Sequence, residues 1–273
     1  MKVRASDGIE LEVEAHGAGI PVLFSCGYCT TRENFRPQVE PLAAAGARVV
    51  LWDYRGHGES DAPEDAAAYS FDRVLDDVGR VLEAVAPRSP AVLAGFSFGG
   101  LASLHFALRF PERVRALALL DTGPGFKKAE AQARWLAQIE RTAQILEQKG
   151  FEGFLASRGS DTAVGRRRDL PAAQRAARAL ARQRVSGVAQ FGRLIAGPAP
   201  GCIDELDRIA CPALVVVGEH DEAYLRAAEV MAARLPRSRR VVIPGAGHVV
   251  TLEEPAALNR VLCDFLGSLE GGA

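Results

Sequence analysis

One short stretch constrains this chain more than any other: a serine flanked by glycines where a strand pattern becomes a helix pattern. Gly95-Phe96-Ser97-Phe98-Gly99-Gly100 follows the apolar run Ala91-Val92-Leu93-Ala94. It precedes residues 101–109, which read as a helix halted at Phe110-Pro111. G-x-S-x-G at such a switch is the pattern of a nucleophile elbow, in which a strained turn lifts the serine hydroxyl clear of the backbone. Glycines on either side let strand and helix approach closely. The helix N-terminus beneath the serine favours negative charge developing there.

The elbow sits inside a regular alternation. Residues 3–5 and 9–15 read as a hairpin across Ser6-Asp7-Gly8, with Leu11 and Val13 alternating with glutamates. Residues 21–25, 47–52, 114–120, 211–218 and 239–243 are apolar runs of strand length, and helical spacing fills 33–45, 69–86, 223–235 and 255–269. Strands that alternate with helices and are apolar on both faces predict an α/β protein with a doubly wound, mostly parallel sheet. Residues 126–199 break the rhythm with helical stretches and no convincing strand. One helix is expected around Trp135, Ile139, Ile145 and Leu146, and a short one over 151–157. The expected organisation is one domain, with a core of 1–125 and 200–273 and a helical insertion at 126–199.

Composition narrows the partners. A net charge of −1 over 273 residues offers no electrostatic attraction for nucleic acid or an anionic membrane. No stretch reads as a signal peptide or a membrane span. The five cysteines, Cys26, Cys29, Cys202, Cys211 and Cys263, are scattered and odd in number. That suits reduced thiols and a cytoplasmic location. Cys26-Gly27-Tyr28-Cys29 is formally C-x-x-C, but no second Cys or His pair has ligand spacing, so no metal is expected. The run Arg166-Arg167-Arg168 reads first as a solvated helix face or loop.

Asp53-Tyr54-Arg55-Gly56-His57-Gly58-Glu59-Ser60, together with the elbow, resembles the α/β-hydrolase family. The resemblance implies that Asp53, Arg55 and His57 support loops, and that residues 126–199 are the cap that roofs the active site in that family.

A serine hydroxyl needs a base to attack a carbonyl, usually an imidazole oriented by a carboxylate. In α/β-hydrolases the order along the chain is serine, acid, histidine. Here Ser97 is followed by Asp221, in Gly218-Glu219-His220-Asp221, and by His248, in Pro244-Gly245-Ala246-Gly247-His248. Asp121 and Glu219 remain rival acids. His16, His57, His105 and His220 lack the glycine-rich loop and following helix that His248 has. By the same resemblance, the backbone N–H groups of Phe98 and Tyr28 form the oxyanion hole. Cys26-Gly27 stands where the family commonly has His-Gly.

These residues imply a serine carboxylesterase-type hydrolase acting on a small or medium acyl ester through an acyl-enzyme, with no cofactor, as a monomer or homodimer. A lactonase, a C–C bond hydrolase or a cofactor-free perhydrolase would use the same triad, and a non-catalytic small-molecule receptor is the alternative from another class. Serine at the elbow argues against haloalkane dehalogenases and epoxide hydrolases, which place aspartate there.

Overall fold

A computed structural model describes residues 1–270; the end of the expected core segment, 271–273, lies outside the described residues. The strands are β1 (Lys2–Arg4), β2 (Glu10–His16), β3 (Ile20–Ser25), β4 (Ala47–Trp52), β5 (Ala91–Phe96), β6 (Val114–Leu120), β7 (Ala213–Gly218) and β8 (Ser238–Ile243). They form one sheet in the order β1-β2-β4-β3-β5-β6-β7-β8. β1 and β2 pair antiparallel, β2 joins β4 antiparallel, and every pairing from β4 to β8 is parallel. The order steps outward from β3 in both directions, so the C-terminal ends of β3 and β5 lie side by side at a switch point, where such sheets bind ligands.

Burial follows position in the sheet. β5 and β7 are buried along their whole length, as two-face coverage demands. β8, at the edge, exposes Arg239 and Arg240, charges that oppose edge-to-edge pairing with another chain.

The helices are α1 (Arg36–Ala44), α2 (Phe71–Val85), α3 (Phe98–Arg109), α4 (Ala129–Leu155), α5 (Asp161–Val164), α6 (Pro171–Leu180), α7 (Val185–Phe191), α8 (Glu222–Arg234), α9 (Val250–Glu253) and α10 (Pro255–Glu270). In α2, Ser70 caps the N-terminus by accepting from the Arg73 N–H, and Val74, Val78, Val81, Leu82 and Val85 form the buried stripe.

Between β6 and β7, residues 126–199 contain α4 to α7 and no strand. The two helices expected there are both present within α4 and meet at Gly150, whose φ of 62° and ψ of −169° break the helical path between them. α7 runs on into a π-helical turn at Gly192–Ala196. Trp135 Nε1 donates to the Ala196 carbonyl at 2.9 Å, tying α4 to that turn. Polar contacts fasten the segment to the core: Asn34 Nδ2 donates to the Ala163 carbonyl at 2.7 Å, and the Gly58 N–H to Gln183 Oε1 at 2.9 Å. No helix among the described residues is long and apolar enough to cross a membrane.

Candidate active site

Ser97 sits between β5 and α3 with φ 52° and ψ −117°, outside the regions open to unstrained L-residues. The strain is held from both sides. Its N–H donates to the Leu120 carbonyl at 3.0 Å, and its own carbonyl accepts from Thr122 Oγ1. Glycine is obligatory around it: a Cβ on Gly95 would come within 2.3 Å of the Gly99 carbonyl oxygen, and one on Gly99 within 2.1 Å of the Ser25 carbonyl oxygen. α3 therefore begins at Phe98, three residues earlier than its apolar pattern suggests, because the glycines of its first turn fit the close approach.

Three non-glycine residues among those described have positive φ: Cys29, Ser97 and Asp121. They lie just past the ends of β3, β5 and β6. Backbone strain thus concentrates at one edge of the sheet, as it commonly does at functional sites.

The loops after β7 and β8 bring two more side chains to this edge. His248 Nε2 lies 3.2 Å from Ser97 Oγ, and His248 Nδ1 lies 2.8 Å from Asp221 Oδ2. Asp221 is buried, so its carboxylate meets the ring in a low-dielectric setting where the contact is strong. The imidazole is also held by aromatic faces: Tyr224 stacks on it at 4.9 Å between centroids, and Phe96 lies tilted at 5.1 Å. Burial raises the Tyr224 phenol to about 12, so it stays protonated beside the ring.

The rival acids have other partners. Asp121 Oδ1 accepts from the Gly218 N–H at 2.8 Å and Oδ2 from the Val250 N–H at 3.1 Å, so it braces the loops that carry Asp221 and His248. Burial and the charge of Asp221 push its carboxyl well above the usual range. Glu219 accepts from the Gly245 N–H at 2.9 Å, within the same loop pair.

The other histidines lie elsewhere. His57 is buried against Phe191, and burial lowers it to about 4. His105 Nε2 meets the Pro200 carbonyl at 2.9 Å, His16 contacts Glu14, and His220 is exposed. Asp53 accepts from the Arg32 and Glu59 N–H groups, and Arg55 makes a two-point ion pair with Asp77 at 2.7 Å on each arm. The Asp53–Ser60 turn is thus braced by internal hydrogen bonds.

Tyr28 follows Gly27 beyond β3, and Phe98 opens α3. Neither backbone N–H donates to a protein acceptor outside regular structure among the described residues, and the first N–H of a helix has no partner within it. Cys26 and Cys29 are buried free thiols. Burial pushes both well up, leaving them protonated and poor nucleophiles. The cluster at 166–168 is divided among partners: Arg167 pairs with Glu254 at 3.3 Å and Arg168 with Asp161 at 2.7 Å.

Ser97, His248 and Asp221 open onto a cavity of about 790 Å³ between the sheet edge and residues 126–199. Apolar side chains such as Phe98, Leu101, Trp135, Ile139 and Phe154 line much of it, an arrangement suited to a small organic ligand.

Across residues 20–255 the sequence matches the family of the alpha/beta hydrolase fold. The chain belongs to that family. It is 32% identical over 272 residues to the pimeloyl-[acyl-carrier protein] methyl ester esterase of Chromobacterium violaceum, covering 94% of this chain and 98% of that protein. It is 28% identical to the 2-(acetamidomethylene)succinate hydrolase of Mesorhizobium japonicum, covering 94% and 92%. Among solved structures it resembles a thermophilic esterase from Thermogutta terrifontis, with a TM-score of 0.82, 27% identity and 98% coverage of both chains.

Two residues of this α/β-hydrolase-fold chain escape sequence reasoning. Tyr224, one turn after Asp221, has no motif to mark it. Glu253, buried at 3% exposure, accepts from the Gly247 N–H at 2.6 Å and the Arg166 N–H at 3.0 Å. A glutamate five residues after the histidine carries no local signal, because both of its partners are backbone groups in separate loops.

Proposed function

We propose that the chain is a serine hydrolase of the carboxylesterase type, with Ser97 as nucleophile, His248 as base and Asp221 as the acid that orients the imidazole. The observation that carries this reading is the continuous path Ser97 Oγ–His248 Nε2 at 3.2 Å and His248 Nδ1–Asp221 Oδ2 at 2.8 Å, at the floor of a cavity. Ser97 Oγ attacks the ester carbonyl as its proton passes to His248 Nε2. The N–H groups of Tyr28 and Phe98 receive the charge on the carbonyl oxygen. His248 then gives the proton to the leaving alkoxide, and the alcohol departs. Water, deprotonated by His248, releases the acid and restores Ser97.

In this reading residues 126–199 are a cap inserted in a core of 1–125 and 200–273, and the cavity beneath it selects a small or medium acyl group in a cytoplasmic enzyme. Similarity to two esterases supports ester over other acyl bonds. The test is hydrolysis of p-nitrophenyl acetate and butyrate by the wild type and Ser97→Ala, with intact-mass detection of a fluorophosphonate adduct. Turnover and labelling should both vanish in Ser97→Ala. Folded wild-type protein that shows neither would overturn the reading in favour of a ligand receptor.

A further inference from the structure

The charges on the cavity wall are unbalanced. Arg134 and Arg141 both line it from α4. Seven residues apart, they stand two turns along one helical face, with Gln138 lining the wall between them. Neither guanidinium has a hydrogen-bond or ion-pair partner among the described residues, and both residues are exposed. A third lining arginine, Arg226, is paired with Glu229 at 2.8 Å.

Glu130 stands one turn before Arg134 on α4 but makes no ion pair with it among the described residues, and two further acids of the helix are engaged elsewhere. Glu140 and Glu147 of the same helix are both held by Arg193, with contacts of 2.7 Å and 3.0 Å. The only carboxylate among the described lining residues is Asp221, which is turned to His248. A largely apolar cavity with two arginines on its wall that make no ion pair among the described residues suits a molecule with an apolar body and an anionic end. A guanidinium binds carboxylate through paired N–H donors.

We infer that the site takes anionic esters, with Arg134 and Arg141 receiving a carboxylate remote from the scissile bond at Ser97. This specificity rests on the hydrolase reading above, but the binding of a carboxylate does not.

The test pairs a turnover measurement with a binding measurement. kcat/KM is compared for p-nitrophenyl hydrogen adipate and the uncharged p-nitrophenyl hexanoate, in wild type and in Arg134→Gln/Arg141→Gln. Adipate itself is titrated while the fluorescence of Trp135, which lines the cavity, is followed. Wild type should prefer the charged ester, and the ratio of the two kcat/KM values should fall roughly tenfold or more in the double variant. The preference should weaken with added salt, and Arg134→Glu/Arg141→Glu should reverse it.

Hydrolysis of hexanoate with no preference for the adipate ester and no adipate binding would overturn the anion site and leave the hydrolase reading intact. Adipate binding that the double variant loses, in a protein that cleaves neither ester, would overturn the hydrolase reading and support the anion site. Absence of both would overturn both.

Discussion

The carboxylate of Glu253 accepts from the backbone N–H of Gly247 at 2.6 Å, one residue before His248. Its other oxygen accepts from the Arg166 N–H at 3.0 Å, so one buried side chain links the histidine loop to the segment between β6 and β7. There is no slack: a Cβ on Gly247 would come within 3.0 Å of Glu253 Oε2, and one on Gly165 within 2.9 Å of Oε1.

Glu253→Gln keeps the shape but replaces one acceptor oxygen with a donor, leaving a buried N–H facing an NH2. The expected cost is about 1–3 kcal/mol of stability, with a roughly tenfold slower fluorophosphonate reaction at Ser97 as His248 loses its fixed position. Urea unfolding and the labelling rate check the two effects. A stability loss with an unchanged labelling rate would confine Glu253 to a structural role.

Asp221 and Asp121 should separate by phenotype. Asp221→Asn should lower kcat on the order of 10⁴-fold with little change in Tm, because the imidazole loses the partner that sets its tautomer. Asp121→Asn faces two backbone N–H donors with a single acceptor oxygen, and should instead cost about 1–3 kcal/mol of stability. Steady-state kinetics and thermal unfolding of both variants decide it, and the reverse pattern would move the acid to Asp121.

His57 should make the fold acid-sensitive. Burial holds the folded imidazole at about 4, whereas an unfolded histidine titrates near ~6.5. Between these values the unfolded chain binds a proton that the native state refuses, so stability falls as pH drops through that window. The loss reaches about 3 kcal/mol by the lower end. His57→Phe, which keeps the aromatic contact with Phe191, should flatten urea-unfolding stability over that window. An unchanged slope would assign the acid loss to other groups.

Gly99→Ala tests the elbow's close packing. A methyl group 2.1 Å from the Ser25 carbonyl oxygen has to displace backbone on β3 or α3. We expect destabilisation above about 3 kcal/mol and loss of soluble protein. A well-folded, active Gly99→Ala would show that β3 can yield.

The helix–strand alternation, the elbow serine and the two strand-end loops of Asp221 and His248 were legible in the sequence, because each is a local pattern. Periodicity reports burial, glycine marks tight turns, and a strand end announces where a sheet presents its side chains. Element boundaries blurred where local signals compete: α3 begins at Phe98, because its first-turn glycines carry no apolar pattern, whereas Gly150 divides α4 where the pattern breaks.

The residues that support the site came only from tertiary structure. Glu253 grips two backbone groups in different loops, Asp121 two more, and Tyr224 meets His248 across the gap between α8 and the loop after β8. The charge of the cavity was likewise decided in three dimensions. An overall balance of −1 says nothing of which arginines find partners, and only folding pairs Arg193 with both glutamates while Arg134 and Arg141 make no ion pair among the described residues. Sequence encodes what each segment prefers; which groups neutralise one another depends on distances that exist only after the sheet has formed.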